Sequence, residues 1–430
     1  MTPHLLRRAA FAAGCIGAFA AACTLLGADA RADEGPPELE DPTDHNEWAG
    51  FPVIGGSTDI GVQLGAAATV THQGDRYKPY WWKVDGLVSL SVKGGPRGTE
   101  IVQQSHDMRF DIPGGGNGQI RLMPGVFYDK TINSGYFGLG NASPLVTDRG
   151  GQVGERYQFR HEELSTRLNA RSPLGGAYST MYGWQLRYLN PKAYANSRLA
   201  IDAATRSDDG TPLVRGLQPL GIATLNQGLI YDTRDDEVFT RSGEYHLAAW
   251  RLSGAVPTDS HVYWAGLNFI VRKYVPLPGS FVLAGRIIVD LMAGNVPFYD
   301  LSQGGAFDPD DLPGGAESVR GIPNGRYSGL VKAIGNVELR RIHGAVRVFG
   351  SRFQIGTNEF FDTGRVWTNY TFSDPRDGTG LGLKYGVGGG VFMIWDTAAL
   401  FRVDVAYSPD ASAANPGFPL GIYVQEGLIF

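Results

Sequence analysis

Segment after segment of this chain alternates apolar and polar residues with a period of two, and many of the polar positions are charged. In FRVDVAY, Phe401, Val403, Val405 and Tyr407 share one face, with Arg402 and Asp404 on the other. In FVLAGRIIVDL, Phe281, Leu283, Ile287, Val289 and Leu291 oppose Arg286 and Asp290. In LVKAIGNVELRR, Val331, Ala333, Val337 and Leu339 oppose Lys332, Asn336, Glu338 and Arg340. Successive side chains of a strand point to opposite faces, so this pattern requires two different solvents, one on each side of a sheet. A soluble sandwich meets the requirement by joining apolar faces inside. A membrane barrel meets it with lipid outside and water inside.

The start of the chain favours the barrel. Arg7 and Arg8 precede an uncharged run from Ala9 to Ala28, followed by small-x-small sites at Ala28-Asp29-Ala30 and Ala30-Arg31-Ala32. That is the form of a secretory signal, assigned to residues 1–32. A retained transmembrane helix is disfavoured because the run is Ala-rich and has no basic stop on its far side. A lipoprotein anchor at Cys23 is disfavoured because Ala20-Ala21-Ala22 lacks the usual Leu. Cys15 and Cys23 are the only cysteines, so a cleaved chain would have no thiol for a metal, a disulfide or a nucleophile. Losing three arginines and one aspartate moves the net charge from −5 to −7, and nothing points to nucleic acid. Beyond the leader no apolar stretch could cross a bilayer as a helix.

Residues 33–49 are acidic and Pro-rich and read as a periplasmic linker, leaving 50–430 for the barrel. Fifteen strand candidates run from 58–71 to 419–430. A single-chain bacterial barrel has an even number of strands, so Phe51-Pro52-Val53-Ile54 is taken as part of a sixteenth. Tight breaks at Pro173-Leu174-Gly175, Pro276-Leu277-Pro278 and Trp395-Asp396-Thr397 suit the periplasmic side, and the longer segments 131–154, 191–221, 294–326 and 367–379 the outside. Ile422, Val424, Leu428 and Phe430 share one parity, so the last strand is predicted to show lipid an apolar stripe ending on an aromatic. Leu428 and Phe430 thereby resemble the C-terminal signal that outer-membrane barrels present to their assembly machinery, although Glu426 and Gly427 depart from its usual form.

Three segments resemble the superfamily of BamA, TamA and the two-partner secretion transporters, also called bacterial surface antigen barrels. GGAESVRGIPNGRY matches the tip of the family's sixth outer loop at Val319, Arg320 and Gly321, with Ile322 in place of an aromatic. FFDTGRVW matches its Phe-x-Asp at Phe360 and Asp362. YDTRDDEVFTRSGEYHL matches a strand end and turn at Asp232, Arg234, Asp235 and Gly243, with Thr240 where Pro is common. The resemblance covers about residues 50–430 and implies an all-β transmembrane antiparallel β-barrel of 16 strands with an inward-folded sixth outer loop. The family's periplasmic POTRA domains have no room in residues 33–49. Independently, Glu338 and Asp362 share the non-lipid parity of their strands, which makes them acceptors for a guanidinium from a loop that dips inside. A planar fork can bond carboxylate oxygens in pairs. The bland alternative is an exposed Arg320 and an Asp362 that merely wets the pore.

No enzyme constellation stands out. The histidines are scattered, without metal spacing or a Gly-x-Ser-x-Gly turn. Tyr80-Trp81-Trp82, Trp250, Trp264, Trp367 and Trp395 read as interfacial girdle residues. Asp308-Pro309-Asp310-Asp311 reads as a solvated loop, not a calcium site. No catalytic residue, metal or cofactor is expected. The resemblance implies a barrel that helps polypeptide, or lipid, into or across the outer membrane, with outer-membrane lipids, the assembly machinery and a polypeptide client as partners. The alternative is a passive pore or structural barrel without a client.

Overall fold

The computed structural model describes residues 44–430 except 75–79, 96–97, 115–117, 146–153, 208–209, 238, 257–260, 349–350, 396–398 and 414–417. The leader and residues 33–43 of the linker lie outside the described residues, as does the Glu426 side chain.

The alternating segments form sixteen long strands. The first half comprises β1 (Asp44–Ser57), β2 (Gly61–Gly74), β3 (Trp82–Gly95), β4 (Gly98–Gly114), β5 (Ile120–Gly135), β6 (Gln158–Gly175), β7 (Tyr178–Leu189) and β8 (Leu220–Asp232). The second comprises β9 (Gly243–Ala255), β10 (Tyr263–Leu277), β11 (Phe281–Asn295), β12 (Val331–Val348), β13 (Ser351–Trp367), β14 (Lys384–Trp395), β15 (Ala399–Tyr407) and β16 (Leu420–Glu426). Each pairs antiparallel with its sequence neighbours, and β1 meets β16, so the sheet closes on itself. The expected sixteen strands are present. β1 starts at Asp44, so residues 44–49 belong to a strand and not to the linker; the Pro-rich composition hid a segment that ladders with β2 from end to end.

Closure follows from the two-solvent pattern. Leu225, Leu229, Leu252, Leu267, Phe269 and Val271 of β8–β10 are exposed on the outer wall. Arg251, Asn268, Arg286, Asp290 and Lys332 point the other way and are buried. Only a closed barrel lets every strand satisfy its backbone in hydrocarbon while showing lipid an apolar face. Trp264 departs from the girdle reading: it is buried with Tyr136, Phe298 and Met292 beneath the long connections.

The long connections, 136–157, 190–219, 296–330, 368–383 and 408–419, all lie at one end of the barrel. Long loops face outward in such barrels, which makes that end the outer one and 296–330 the sixth outer connection. Within it Gln303–Gly304 pairs with Asp310–Asp311.

The last strand differs from the expectation. It stops at Glu426, and Gly427, at φ +83°, turns the chain out of the ladder. Leu428 and Phe430 therefore do not extend a lipid-facing stripe; Phe430 is buried beside Tyr274, Phe392 and Leu400.

An inside–outside test follows from the wall. Phe269→Arg places a charge on the lipid face near mid-strand and should lower folding stability by about 2–4 kcal/mol. Equilibrium refolding into lipid vesicles measures it; an unchanged midpoint would mean Phe269 does not face lipid.

Candidate functional site

Connection 296–330 meets charged groups of the barrel's inner wall at several points, three of them at buried guanidinium–carboxylate pairs. Near its start, Asp300 accepts a hydrogen bond from Arg187 Nη1 at 2.6 Å, and Glu163 receives the same guanidinium at 2.8 and 3.0 Å. At the next contact, Arg251 holds Asp290 with both Nη atoms, at 2.9 and 2.7 Å. The Gly305 N–H donates to the same carboxylate at 3.1 Å and its carbonyl accepts from Arg251 at 2.7 Å. The third contact is Arg320.

Arg320 has no solvent exposure. Its Nε and Nη2 donate to the two Asp362 oxygens at 2.8 and 3.1 Å, and its backbone N–H donates to Asp362 Oδ2 at 3.2 Å. Nη1 donates to Asp404 at 2.9 Å, and Nη2 lies 2.6 Å from Glu338 Oε1 as an ion pair. The guanidinium carbon stands 3.3 Å from the centre of the Phe360 ring. Asp362, Glu338, Asp404 and Phe360 are all buried, whereas Phe361 is exposed on the outer wall. Burial alone would lower the pKa of Arg320; the carboxylates of Glu338, Asp362 and Asp404 outweigh it and hold the guanidinium protonated well above its ordinary value.

Backbone space makes this approach feasible. A Cβ on Gly386 of β14 would lie 1.8 Å from the Arg320 carbonyl oxygen. Gly321 takes φ +92° beside Ser408 and donates its N–H to the Tyr423 hydroxyl at 2.9 Å. Val319 and Ile322 are fully buried with Tyr327, Ile288, Ile334 and Val366. Ile322 thus fills the apolar pocket below the tip.

Val319, Arg320, Gly321, Glu338, Phe360 and Asp362 are therefore brought together. Asp404 and Arg402 join them and were not expected as site residues. Arg402 donates to Asp404 at 3.2 Å and pairs with Glu317 of the loop. Their only sequence signal was the non-lipid parity of FRVDVAY. A second difference concerns solvent: a water-filled lumen was expected to weaken this contact, but its charged groups are excluded from water.

Of the acidic run, Asp308 pairs with Arg167. Burial pushes the Asp311 carboxyl up to about 7; the Asp59 and Asp129 carboxylates act in the same direction and His161 opposes them.

Asp232, Arg234, Asp235 and Gly243 lie elsewhere, at the turn between β8 and β9. Arg234 donates to both Asp232 oxygens at 3.0 Å. Asp235 Oδ1 accepts from the Arg241 and Ser242 N–H groups at 2.9 and 3.1 Å. Gly243 takes φ +105°, and a Cβ there would meet the Thr233 carbonyl at 2.2 Å. This set shapes a turn; Thr240, where Pro is common, bonds the Asp236 carbonyl at 2.7 Å.

A family model for the Omp85 superfamily domain matches residues 151–422. The chain belongs to the Omp85 superfamily. BamA from Haemophilus ducreyi lacking POTRA domains 1-3 shares the fold at 13% identity and TM-score 0.52, over 90% of this chain and 70% of that one. CdiB from Escherichia coli does so at 12% identity and TM-score 0.53, over 91% of this chain and 63% of that one. No curated protein matches. An Omp85 barrel implies a Gram-negative outer membrane, and Omp85 proteins are transporters and insertases that act with polypeptide clients.

Two outcomes follow for this Omp85 barrel. Arg320→Ala strands three buried carboxylates and should cost about 3–5 kcal/mol, exposing 296–330 to protease. Asp362→Ala leaves Glu338 and Asp404 in place and should cost less, and the double variant should cost less than the sum. Arg320→Lys should restore only part, since an ammonium lacks the planar fork. Additive effects, or unchanged loop protection in Arg320→Ala, would show that Arg320 does not pin the loop. The second outcome concerns pH. The stability tied to a neutral Asp311 is complete below its ordinary value of 3.8 and is lost as pH rises through about 7. Protease cleavage near 303–311 should therefore speed up between mildly acidic and mildly alkaline pH, and Asp311→Asn should flatten that rise.

Proposed function

We propose that this barrel assists polypeptide into or across the outer membrane by offering the edge of β1 to an incoming strand. The observation that carries the reading is the imbalance of the β1 ladders. β1 pairs with β2 along all fourteen of its residues, from Asp44↔Gly74 to Ser57↔Gly61. With β16 the register consists of Gly56↔Val424 and Ser57↔Tyr423, near the outer end. Thr58 adds one hydrogen bond to the Ile422 carbonyl at 3.2 Å. A strand edge with open N–H and C=O groups is a template for another strand, and one inside a bilayer is especially costly to leave unsatisfied. Trp48 and Ile54, at 82% and 63% exposure, lie within the stretch that β16 does not cover.

In this reading the leader at 1–32 carries the chain across the inner membrane, and Arg320 with its three carboxylates is a latch that keeps loop 296–330 inside while the seam opens. A passive pore is the rival. The contacts of that loop with the inner wall at Arg187, Arg251 and Arg320 weigh against it, because they place protein where a pore would need water.

A reversible lock separates the readings. Ser57→Cys with Tyr423→Cys joins residues that face each other across the seam. Oxidation should reproduce the outer-membrane protein changes caused by deleting the chain, and reduction of the same variant should reverse them. Client levels unaffected by the lock would refute strand templating and leave the passive pore.

A further inference from the structure

The inner wall of this barrel carries several apolar patches among its polar residues, and one of them lies at the periplasmic mouth. There Tyr274, Val282, Ala284, Phe392, Ile394 and Leu400 form a buried apolar cluster, joined by Phe239 from the turn between β8 and β9. An apolar surface of this kind at an aqueous opening is a binding surface unless something covers it. The chain's own Ile429 and Phe430 cover it.

The cover is held through main-chain oxygens of its last two residues and one aromatic ring. Arg286 Nη1 donates to the Ile429 carbonyl at 2.7 Å, and Arg340 Nη2 donates to the Phe430 main-chain oxygen at 2.8 Å. The two guanidinium carbons lie 4.9 and 4.8 Å from the centre of the Phe430 ring. Thus the cradle grips one aromatic ring and two main-chain oxygens. It also leaves two polar atoms unmatched. Arg340 Nη1 and Tyr274 Oη are buried in it without a hydrogen-bond partner among the described residues, on side chains 0% and 1% exposed. Two unmatched polar atoms beside a bound segment are costly, and a ligand that brings acceptors for them binds more favourably than the tail does. The tail is joined to β16 through Gly427 and Leu428 alone, with a single ladder-like bond from the Gly427 N–H to the Leu400 carbonyl at 2.7 Å.

We infer that the periplasmic mouth is a peptide-docking site, held by residues 429–430 in this structure and yielded to an aromatic-bearing segment of a polypeptide arriving from the periplasm. The inference rests on the reading of the barrel as a polypeptide-handling protein and supplies the first place where such a segment would dock. Departure of the tail would leave the mouth open beside the part of β1 that β16 does not cover, so docking and strand templating would occur at one end of one seam.

The test uses purified full barrel in detergent and a fluorescent peptide with the sequence of residues 420–430, LGIYVQEGLIF. The double variant Ile429→Gly, Phe430→Gly vacates the cradle and should bind the peptide at least about tenfold tighter than the unaltered barrel, a difference of about 1.4 kcal/mol. Adding Arg340→Met should abolish that gain, and a peptide with Ala in place of its final Phe should not bind. Equal binding by vacated and unaltered barrels, or a gain insensitive to Arg340→Met, would overturn the site. If the double variant does not reach the folded form, a benzophenone-bearing phenylalanine at Phe430 carries the test. Illumination should crosslink it within the chain, and excess peptide should suppress that crosslink; a crosslink that persists at saturating peptide would overturn the proposal. Failure here leaves strand templating untouched, because the disulfide lock does not involve the cradle.

Discussion

Within hydrocarbon each backbone N–H and C=O must find a partner in the protein, since no water is present to substitute. In this barrel fifteen of the sixteen junctions between strands answer that demand with ladders several residues long. The sixteenth, β1 against β16, does so at two register positions. The cause is local: β16 has seven residues where β1 has fourteen. Pairing with β1 stops at Val424, although β16 stays laddered to β15 as far as Glu426, after which Gly427 takes a left-handed conformation and directs the chain inward. The weak seam and the inward tail therefore adjoin each other at the end of β16, and the backbone freedom of Gly427 sets the second of them.

Around connection 296–330 the interior poses the opposite problem, because the charges that hold it are kept from water. Arg320, Arg251 and Arg187 each bond at least one carboxylate through two nitrogens, and each contact involves the same long connection. Desolvation offsets much of the attraction in such pairs, so their larger effect is on position. A guanidinium that must face Asp362, Glu338 and Asp404 at once admits few placements of residue 320. The pocket beneath Val319 and Ile322 narrows them further, and Gly386 removes the side chain that would block them. Charge, apolar packing and backbone clearance agree on one placement of the tip.

Much of this was legible in the chain because strand parity is a two-letter code. It placed Glu338 and Asp362 inside and Phe361 outside, and it recovered all sixteen strands once Phe51–Ile54 was admitted. Parity says nothing about which inward residues share a height on the wall, so Asp404, 84 positions from Arg320, went unrecognised although its face was assigned correctly. Gly386 was invisible for another reason: its role is the absence of a side chain opposite a loop whose path had not been drawn. The tail was misplaced because parity extends a strand until something stops it, and whether Gly427 stops it depends on its φ. Trp264 was misplaced because an aromatic near a strand end suits the lipid interface and the underside of packed loops equally well.

The turn between β8 and β9 joins these observations. Its Asp232–Arg234 pair, the two N–H groups capped by Asp235 and the left-handed Gly243 share no contact with Arg320, so they do not serve the latch. What they fix are the two ends of this turn, which carries Phe239 to Phe392, with ring centres 5.5 Å apart, in the cluster that receives Phe430. A turn exposed to water needs no such rigidity for its own sake. One that must present an aromatic to the mouth of the lumen does, because fixing Phe239 in advance lowers the entropy lost when a segment docks against it. The motif residues of this turn, which looked like a mark of ancestry, thus have a physical task in the chain at hand, and that task lies at the periplasmic mouth, beside the tail that the last strand turns inward.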